Sequence, residues 1–123
     1  ETVGLEGFAA KVEYALNKLG EVAMRIGTTA SSDKVMNAFA FASPFLEVTG
    51  DILMSWMLLW RATIAAQKLE KSRQKKDLAF YQGQLKSAEF FVNSILPITI
   101  GKMKTILTTN GAAIEISEES FCR

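Results

Sequence analysis

Helical periodicity of apolar residues is the feature that most constrains the fold of this chain. In residues 3–25, apolar side chains recur three and four positions apart without a break, while charged and amide side chains fill the opposite face. The stripe comprises Leu5, Phe8, Val12, Ala15, Leu19, Val22 and Ile26. Because this spacing places the stripe on one side of an α-helix, it predicts a first amphipathic helix that ends at residues 27–29.

The second stretch, residues 34–71, is apolar on nearly every side. One face carries Val35, Phe39, Ala42, Leu46, Ile52, Trp56, Leu59 and Ile64. Other faces carry Met36, Phe41, Phe45, Val48, Met54, Leu58 and Trp60. Such a helix is typically buried on several sides, so we predict that it is the central element. Pro44 should kink or split it, with Ser43 as the cap and Pro44 as the first residue of a new helix.

The third stretch, residues 78–108, has the same helical spacing. Its stripe comprises Leu78, Tyr81, Leu85, Ala88, Val92, Ile95, Thr99 and Ile106. Pro97 predicts a second kink. Asn110 and Gly111 tolerate left-handed backbone dihedrals, so they predict the C-terminal end of this helix. We expect the tail beyond them to be extended or irregular.

Short connections between long helices favour antiparallel neighbours. The sequence therefore predicts an all-α fold, an antiparallel up-down bundle of three long helices with an irregular C-terminal tail. The number of helices rises to four or five if the chain divides at Pro44 and Pro97. We expect residues 1–123 to form one helical bundle domain. Hydrophobic residues make up 49% of the chain, which is high for a small domain and indicates an apolar face meant for a neighbour.

The overall composition argues against several classes of function. The formal net charge is +1, from 14 basic and 13 acidic residues, so nothing indicates nucleic-acid binding or attraction to an anionic membrane. The densest apolar stretch, residues 52–60, is far shorter than the roughly 20 residues of a membrane-spanning helix. A single cysteine cannot form an internal disulfide, which favours a reducing, cytoplasmic location.

Catalytic candidates are few, and we expect no catalytic residue, no cofactor-binding residue and no metal ligand in this chain. It contains no histidine, the commonest general base and metal ligand. Cys122 therefore lacks an imidazole to activate it, and we expect a free thiol. Glu47 and Asp51 share a helix face and could do acid–base chemistry, but pairing with Arg61 or nearby lysines is the simpler expectation.

Two pairs of aromatic residues are candidates for an interface. Trp56 and Trp60 lie four apart on the central helix, where core packing is the commoner role and an interface anchor is the alternative. Phe90 and Phe91 point to two faces, so one ring can lie inside while the other covers a neighbour.

Residues 68–77 form a charge-rich run, which predicts a solvated loop. Contact of its basic side chains with an anion, such as a phosphate of coenzyme A, is the alternative. These candidate residues are Lys71, Arg73, Lys75 and Lys76.

Two sequence segments resemble the C-terminal extension of a subgroup of bacterial acyl-CoA dehydrogenases. Residues 41–51 read FASPFLEVTGD and lead into the helix of the two tryptophans, and residues 77–91 read DLAFYQGQLKSAEFF. The pair Leu96–Pro97 and the tail segment 114–121, IEISEESF, add to the resemblance, which covers about residues 35–121. This chain departs from the common pattern at Gln84, Glu89 and Ser117, where Lys, Arg and Pro are usual.

The resemblance implies that the chain is a piece from the C-terminus of a larger enzyme that binds FAD and oxidises an acyl-CoA at Cα–Cβ. The resemblance assigns no catalytic or FAD-binding residue to any position of this chain. The implied role is a non-catalytic accessory or assembly domain, packed on the preceding catalytic domain or on the second subunit of a homo-oligomer. A stand-alone helical module that binds a partner or a lipid is the alternative.

Overall fold

The structure is a computed structural model that describes residues 3–108 and 110–122, and these residues are mostly helical and contain no strand. The predicted all-α fold is thus confirmed. The helices are α1 (Val3–Ala30), α2 (Val35–Ala40), α3 (Ala42–Lys71), α4 (Lys75–Phe90), α5 (Leu96–Thr108) and α6 (Ala112–Glu115). A π-helical turn (Phe91–Ile95) joins α4 to α5, and a 3-10 turn (Glu118–Phe121) follows α6.

The stripe predicted on the first helix is the side of α1 that faces the core. Val12, Ala15 and Val22 are buried, and Phe8, Leu19 and Ile26 pack against the same core cluster. The cluster is completed by α3, the π turn and α5, through Val48, Ile52, Val92, Leu96, Met103 and Ile106. When an otherwise polar helix has one narrow apolar stripe, only one orientation of the helix buries that stripe. The buried face of α1 could therefore be predicted from the sequence.

Contacts between side chains set the register of the long helices. Glu47 pairs with Lys102, Asp51 with Thr99, and Arg61 with Gln84. Residue numbers rise on α3 as they fall on the partner helix, so α3 runs antiparallel to α4 and α5. At the other side of the core, Lys11 of α1 donates a hydrogen bond to Asn93 over 2.7 Å.

The chain divides before Pro44, as expected, but two residues earlier than the predicted cap. Phe41 separates α2 from α3, and Pro44 is the third residue of α3. A proline fits there because the backbone N–H groups of the first helical turn have no acceptor within the helix. Ser43 lies inside α3, and Phe41 takes the cap position without a capping side-chain hydrogen bond, so the predicted cap was wrong.

At Pro97 the helix changes type instead of ending. Residues 75–108 form one continuous helical stretch, and the π turn lies directly before α5, whose second residue is Pro97. Within the part of the chain that the structure describes, this stretch is also the one helix long and apolar enough to cross a membrane by length and composition. Its buried residues pack on α1 and α3. Helices in the cores of globular proteins can have the same length and apolar composition.

Two connections differ from the predictions. The charge-rich run 68–77 is mostly helical, and just residues 72–74 are not, so the expected ten-residue loop was wrong. α5 ends at Thr108, near the predicted stop, but neither Asn110 nor Gly111 has a positive φ. The Asn110 side chain instead accepts a hydrogen bond from the backbone N–H of Ala112, which starts α6. The tail is therefore partly helical.

Candidate docking surface

The face of α3 that points away from the core is an uninterrupted apolar surface. We call it the α3 strip, and it consists of Leu46, Gly50, Leu53, Trp56, Met57, Trp60 and Ile64. Apart from the glycine, these side chains are between 42% and 74% exposed. The α3 strip therefore presents six large apolar side chains to the outside along about five helical turns.

The buried face of α3 is made of smaller side chains. It comprises Val48, Ile52, Ser55, Ala62 and Ala65. α3 is the central element, as predicted, because α1, α4 and α5 all pack on it. They cover one broad side and leave the α3 strip open, so the expected burial on several sides was wrong. Helices that approach closely through alanines leave no volume for an indole ring between them.

Trp56 and Trp60 lie outside the core, so core packing, the commoner role for this spacing, is not what the structure shows. Their rings are stacked, with centroids 6.1 Å apart and planes inclined by 22°. They are 50% and 55% exposed. Because the two indoles pack on each other, their positions are set before any partner arrives, which lowers the entropic cost of docking.

Phe90 and Phe91 divide between the two environments as the sequence indicated. Phe90, the last residue of α4, is exposed, whereas Phe91, the first residue of the π turn, is half-buried. Neither ring stacks with Trp56 or Trp60 among the described contacts, so the four aromatic residues do not form one cluster.

Charges at the edge of the α3 strip are held by groups of the same molecule. Glu47 accepts a hydrogen bond from Lys102 over 2.9 Å, and this contact raises the pKa of the Lys102 ammonium above its ordinary value. Arg61 donates to the side-chain oxygen of Gln84 on α4. Lysine is usual at position 84 in the acyl-CoA dehydrogenase subgroup that this chain resembles. A lysine there would place a second positive charge beside Arg61. The residues of the α3 strip are themselves all uncharged, and at its edge Glu47 has an ion-pair partner whereas Arg61 has the neutral Gln84 amide as its described partner.

The carboxylates considered for acid–base chemistry both have structural partners. Glu47 pairs with Lys102, and Asp51 accepts a hydrogen bond from the buried Thr99 hydroxyl over 2.7 Å. The pairing of Glu47 with a lysine agrees with the simpler expectation, although the lysine lies on α5. Among the described residues, no three His, Cys, Asp or Glu side chains lie together as a metal site would require. Cys122 is exposed.

The basic residues of the run 68–77, which was predicted to be a loop, lie around the connection between α3 and α4. Lys71 ends α3, Arg73 lies in the connection, and Lys75 and Lys76 begin α4. All four are exposed, and the described residues give none of them an ion pair. Within the described part of the chain, no buried polar side-chain atom lacks a hydrogen-bond partner. None of the described contacts tests anion binding at the four basic residues, so it stays a prediction.

A second apolar wall lies on α1, next to the α3 strip. Ala30 lines a groove of about 510 Å³ together with Ile26 of α1, Phe39 of α2 and Leu46 of α3. Helical spacing places further small or apolar residues on the same side of α1 as Ala30. We call this set the α1 wall, and it consists of Leu16, Gly20, Ala23, Gly27 and Ala30, all exposed. The spacing of four, three, four and three between these residues is a sequence signal for the α1 wall, which was not predicted.

Fold and surface together define the class of this chain: an all-α domain of long helices with an uncovered apolar face on α3. Comparison with known families gives the same class a name. The family model described as acetyl-CoA dehydrogenase C-terminal like matches residues 1–117. The chain belongs to this family.

Two curated proteins are similar to the chain over part of its length. A broad-specificity linear acyl-CoA dehydrogenase of Mycobacterium tuberculosis is 29% identical over 77 residues, which cover 63% of this chain and 13% of that protein. A butyryl-CoA dehydrogenase of Syntrophomonas wolfei is 30% identical over 82 residues, covering 66% of this chain and 13% of that protein. The match thus spans about an eighth of each relative, and the resemblance stated from the sequence is confirmed.

Proposed function

We propose that this chain is a non-catalytic accessory and assembly domain of an FAD-dependent acyl-CoA dehydrogenase, a cytoplasmic enzyme that oxidises acyl-CoA at Cα–Cβ. The domain packs on the preceding catalytic domain or on a second subunit of the parent. The observation that carries the proposal is the α3 strip, a large exposed face of uncharged apolar residues on a member of a C-terminal domain family. Exposed apolar patches of this extent mark interaction sites.

The chemistry of the chain supports a packing role. Reaction at Cα–Cβ needs a carboxylate base beside the acyl chain, and Glu47 and Asp51 are both engaged by groups of α5. A flavin needs donors for its pyrophosphate and ring, and the large groove between α1, α2 and α3 is lined almost entirely by apolar side chains. This groove therefore offers few donors to a flavin, which supports a position for FAD in the remainder of the parent.

Flavin titration of the purified 123-residue chain tests the non-catalytic role. We expect no saturable change in flavin absorbance or fluorescence, and no dye reduction when FAD and acyl-CoAs of several lengths are added together. Stoichiometric binding of FAD, or turnover abolished in Glu47→Gln, would overturn the proposal.

The assembly role needs the parent enzyme. Deletion of this domain from the parent should leave a protein that aggregates or changes subunit number, because the surface that receives the α3 strip is uncovered. The Gly83→Ala variant of the intact parent is the matched control, since Gly83 is exposed on α4 and a Cβ there meets no atom within 4 Å. An unchanged subunit number and solubility after deletion would contradict the assembly role.

A further inference from the structure

We propose that a polar cavity beside the end of α1 binds an oxyanion of the phosphate type. We call it the α1–α2 cavity, and it lies between α1, α2 and the segment that follows α5. Its volume is about 120 Å³, and its polar lining consists of Arg25, Thr29, Lys34, Asn37 and Asn110. The inference does not rest on the proposed assembly function, because none of these residues belongs to the α3 strip.

The path of the chain brings two positive charges to this cavity. Arg25 directly precedes Ile26, the last residue of the apolar stripe of α1, so its side chain leaves the helix beside the buried face. Residues 31–34 connect α1 to α2, and α2 packs on α1. Lys34, the residue before α2, therefore lines the same cavity as Arg25.

The donors of the α1–α2 cavity are available to a ligand. No ion pair among the described residues includes Arg25 or Lys34, and the half-buried Asn37 amide donates no described hydrogen bond. Thr29 and Asn110 already have hydrogen-bond partners in the chain. The cavity thus offers guanidinium, ammonium and amide N–H groups, and its lining contains no carboxylate. Phosphate oxygens accept hydrogen bonds from this set of donors.

Positive charges in two other grooves of the molecule are already engaged. Lys11 lines a groove between α1 and α5 and donates a hydrogen bond to Asn93. Arg61 lines a groove between α3 and α4 and donates to Gln84. The α1–α2 cavity differs from both because it combines two cations that have no described partner in the chain.

The size and wall of the cavity favour a small, highly charged group. Pockets for drug-sized ligands have volumes of about 300–1,000 Å³, so this cavity has room for one oxyanion and few further atoms. The buried side chains of Ala38 and Ile106 form part of its wall. Charges attract each other more strongly beside an apolar wall than in open solvent. A phosphate carries more charge and more acceptor oxygens than a carboxylate, so it can use both cations and the amide together.

One carboxylate lies next to the cavity and gives the proposal a second test. Glu115 of α6 lies over Gly111, which lines the cavity, and a Cβ at Gly111 would collide with the Glu115 Oε1. The described residues give Glu115 no ion pair. Glu115→Gln removes a negative charge from this position, so it should tighten oxyanion binding by roughly 2-fold or more.

NMR titration of the isotope-labelled 123-residue chain with inorganic phosphate, at an ionic strength kept constant with sodium chloride, tests the proposal. We expect saturable shifts centred on the backbone and side-chain amides of Asn37, with a dissociation constant in the millimolar range or tighter. Arg25→Gln and Lys34→Gln should each weaken binding at least about 10-fold, because each removes a charged hydrogen-bond donor. Lys104→Gln is the matched control. Lys104 is exposed on α5, lies outside the cavity and has no described ion pair, so the dissociation constant should not change.

Adenosine 5′-monophosphate distinguishes free phosphate from a phosphate group carried by a larger molecule. Tighter binding of the nucleotide than of inorganic phosphate would support the proposal and assign the cavity to a phosphate monoester. Equal or weaker binding of the nucleotide would support it with free phosphate as the ligand.

Three results would overturn the proposal: no saturable shift with either phosphate, acetate that binds as tightly as phosphate, or equal weakening by Lys34→Gln and Lys104→Gln. Thermal unfolding followed by circular dichroism should show that the variants keep the fold, because every substituted side chain is exposed. None of these results bears on flavin binding or on the α3 strip, so the proposed function can fail separately.

Discussion

Thr99 shows how a polar residue on an apolar stripe can be part of the core. Its spacing placed it on the buried side of the third helix, and it is fully buried there. Its hydroxyl donates to Asp51 across the α3–α5 contact. Helical periodicity predicts the side on which a residue lies but not its partner on another helix, so Asp51 was a candidate acid–base group instead.

Replacing the Thr99 hydroxyl by a methyl group should be destabilising. Thr99→Val keeps the shape of the side chain but leaves the half-buried Asp51 carboxylate without this donor, which should lower the free energy of unfolding by about 1.5–3 kcal/mol. Urea denaturation measures the change. Thr105→Val is the matched control, since its exposed hydroxyl bonds just to the Gly101 carbonyl of its own helix, and it should change stability by less than about 0.5 kcal/mol. Equal losses in the two variants would contradict this role of Asp51.

At the scale of the element, α1 and α3 differ in how far their sequences determine their packing. α1 has one apolar stripe, so its buried face was predictable. α3 is apolar all round, so its pattern fits several orientations, and neighbouring helices decide which side is buried. The close α3–α4 contact is made by Ala62, Ala65 and Ala88, and the tryptophans are left outside. The sequence therefore predicts an excess of exposed apolar surface, but it does not show which side of α3 carries that surface.

Two isoleucines on α3 test its orientation. Ile52 is fully buried and Ile64 is 45% exposed. Ile52→Ala should lower the free energy of unfolding by about 2–5 kcal/mol, because it removes apolar burial and leaves a cavity. Ile64→Ala should cost less than about 1 kcal/mol, measured at concentrations where the chain is monomeric. A larger loss from Ile64→Ala than from Ile52→Ala would mean that α3 is rotated about its axis.

On the scale of the whole molecule, the core is concentrated at one end of the long helices. The core cluster draws on α1, the first half of α3, the π turn and α5. At the far end, where the second half of α3 meets α4, the fully buried apolar residues are alanines, and leucines such as Leu69, Leu78 and Leu85 are half-buried. α1 packs along α5 and the π turn, while α4 packs mainly on α3. The distal part of the fold is therefore a two-helix hairpin whose large apolar side chains are at most half-buried among the described residues.

This asymmetry predicts unequal local stability. Each buried methylene contributes about 0.8 kcal/mol, so an interface of alanines is weaker than one of isoleucine, leucine and methionine. Hydrogen exchange followed by mass spectrometry should show residues 66–84 exchanging well before residues 45–55 and 92–106, through local opening that leaves the core intact. Ala65→Leu would not test this prediction, because the larger side chain would overpack the contact between α3 and α4. Gly83→Ala should instead slow exchange in the hairpin by strengthening α4, with exchange in residues 92–106 unchanged. Simultaneous exchange of all these segments would show that the chain opens as one cooperative unit.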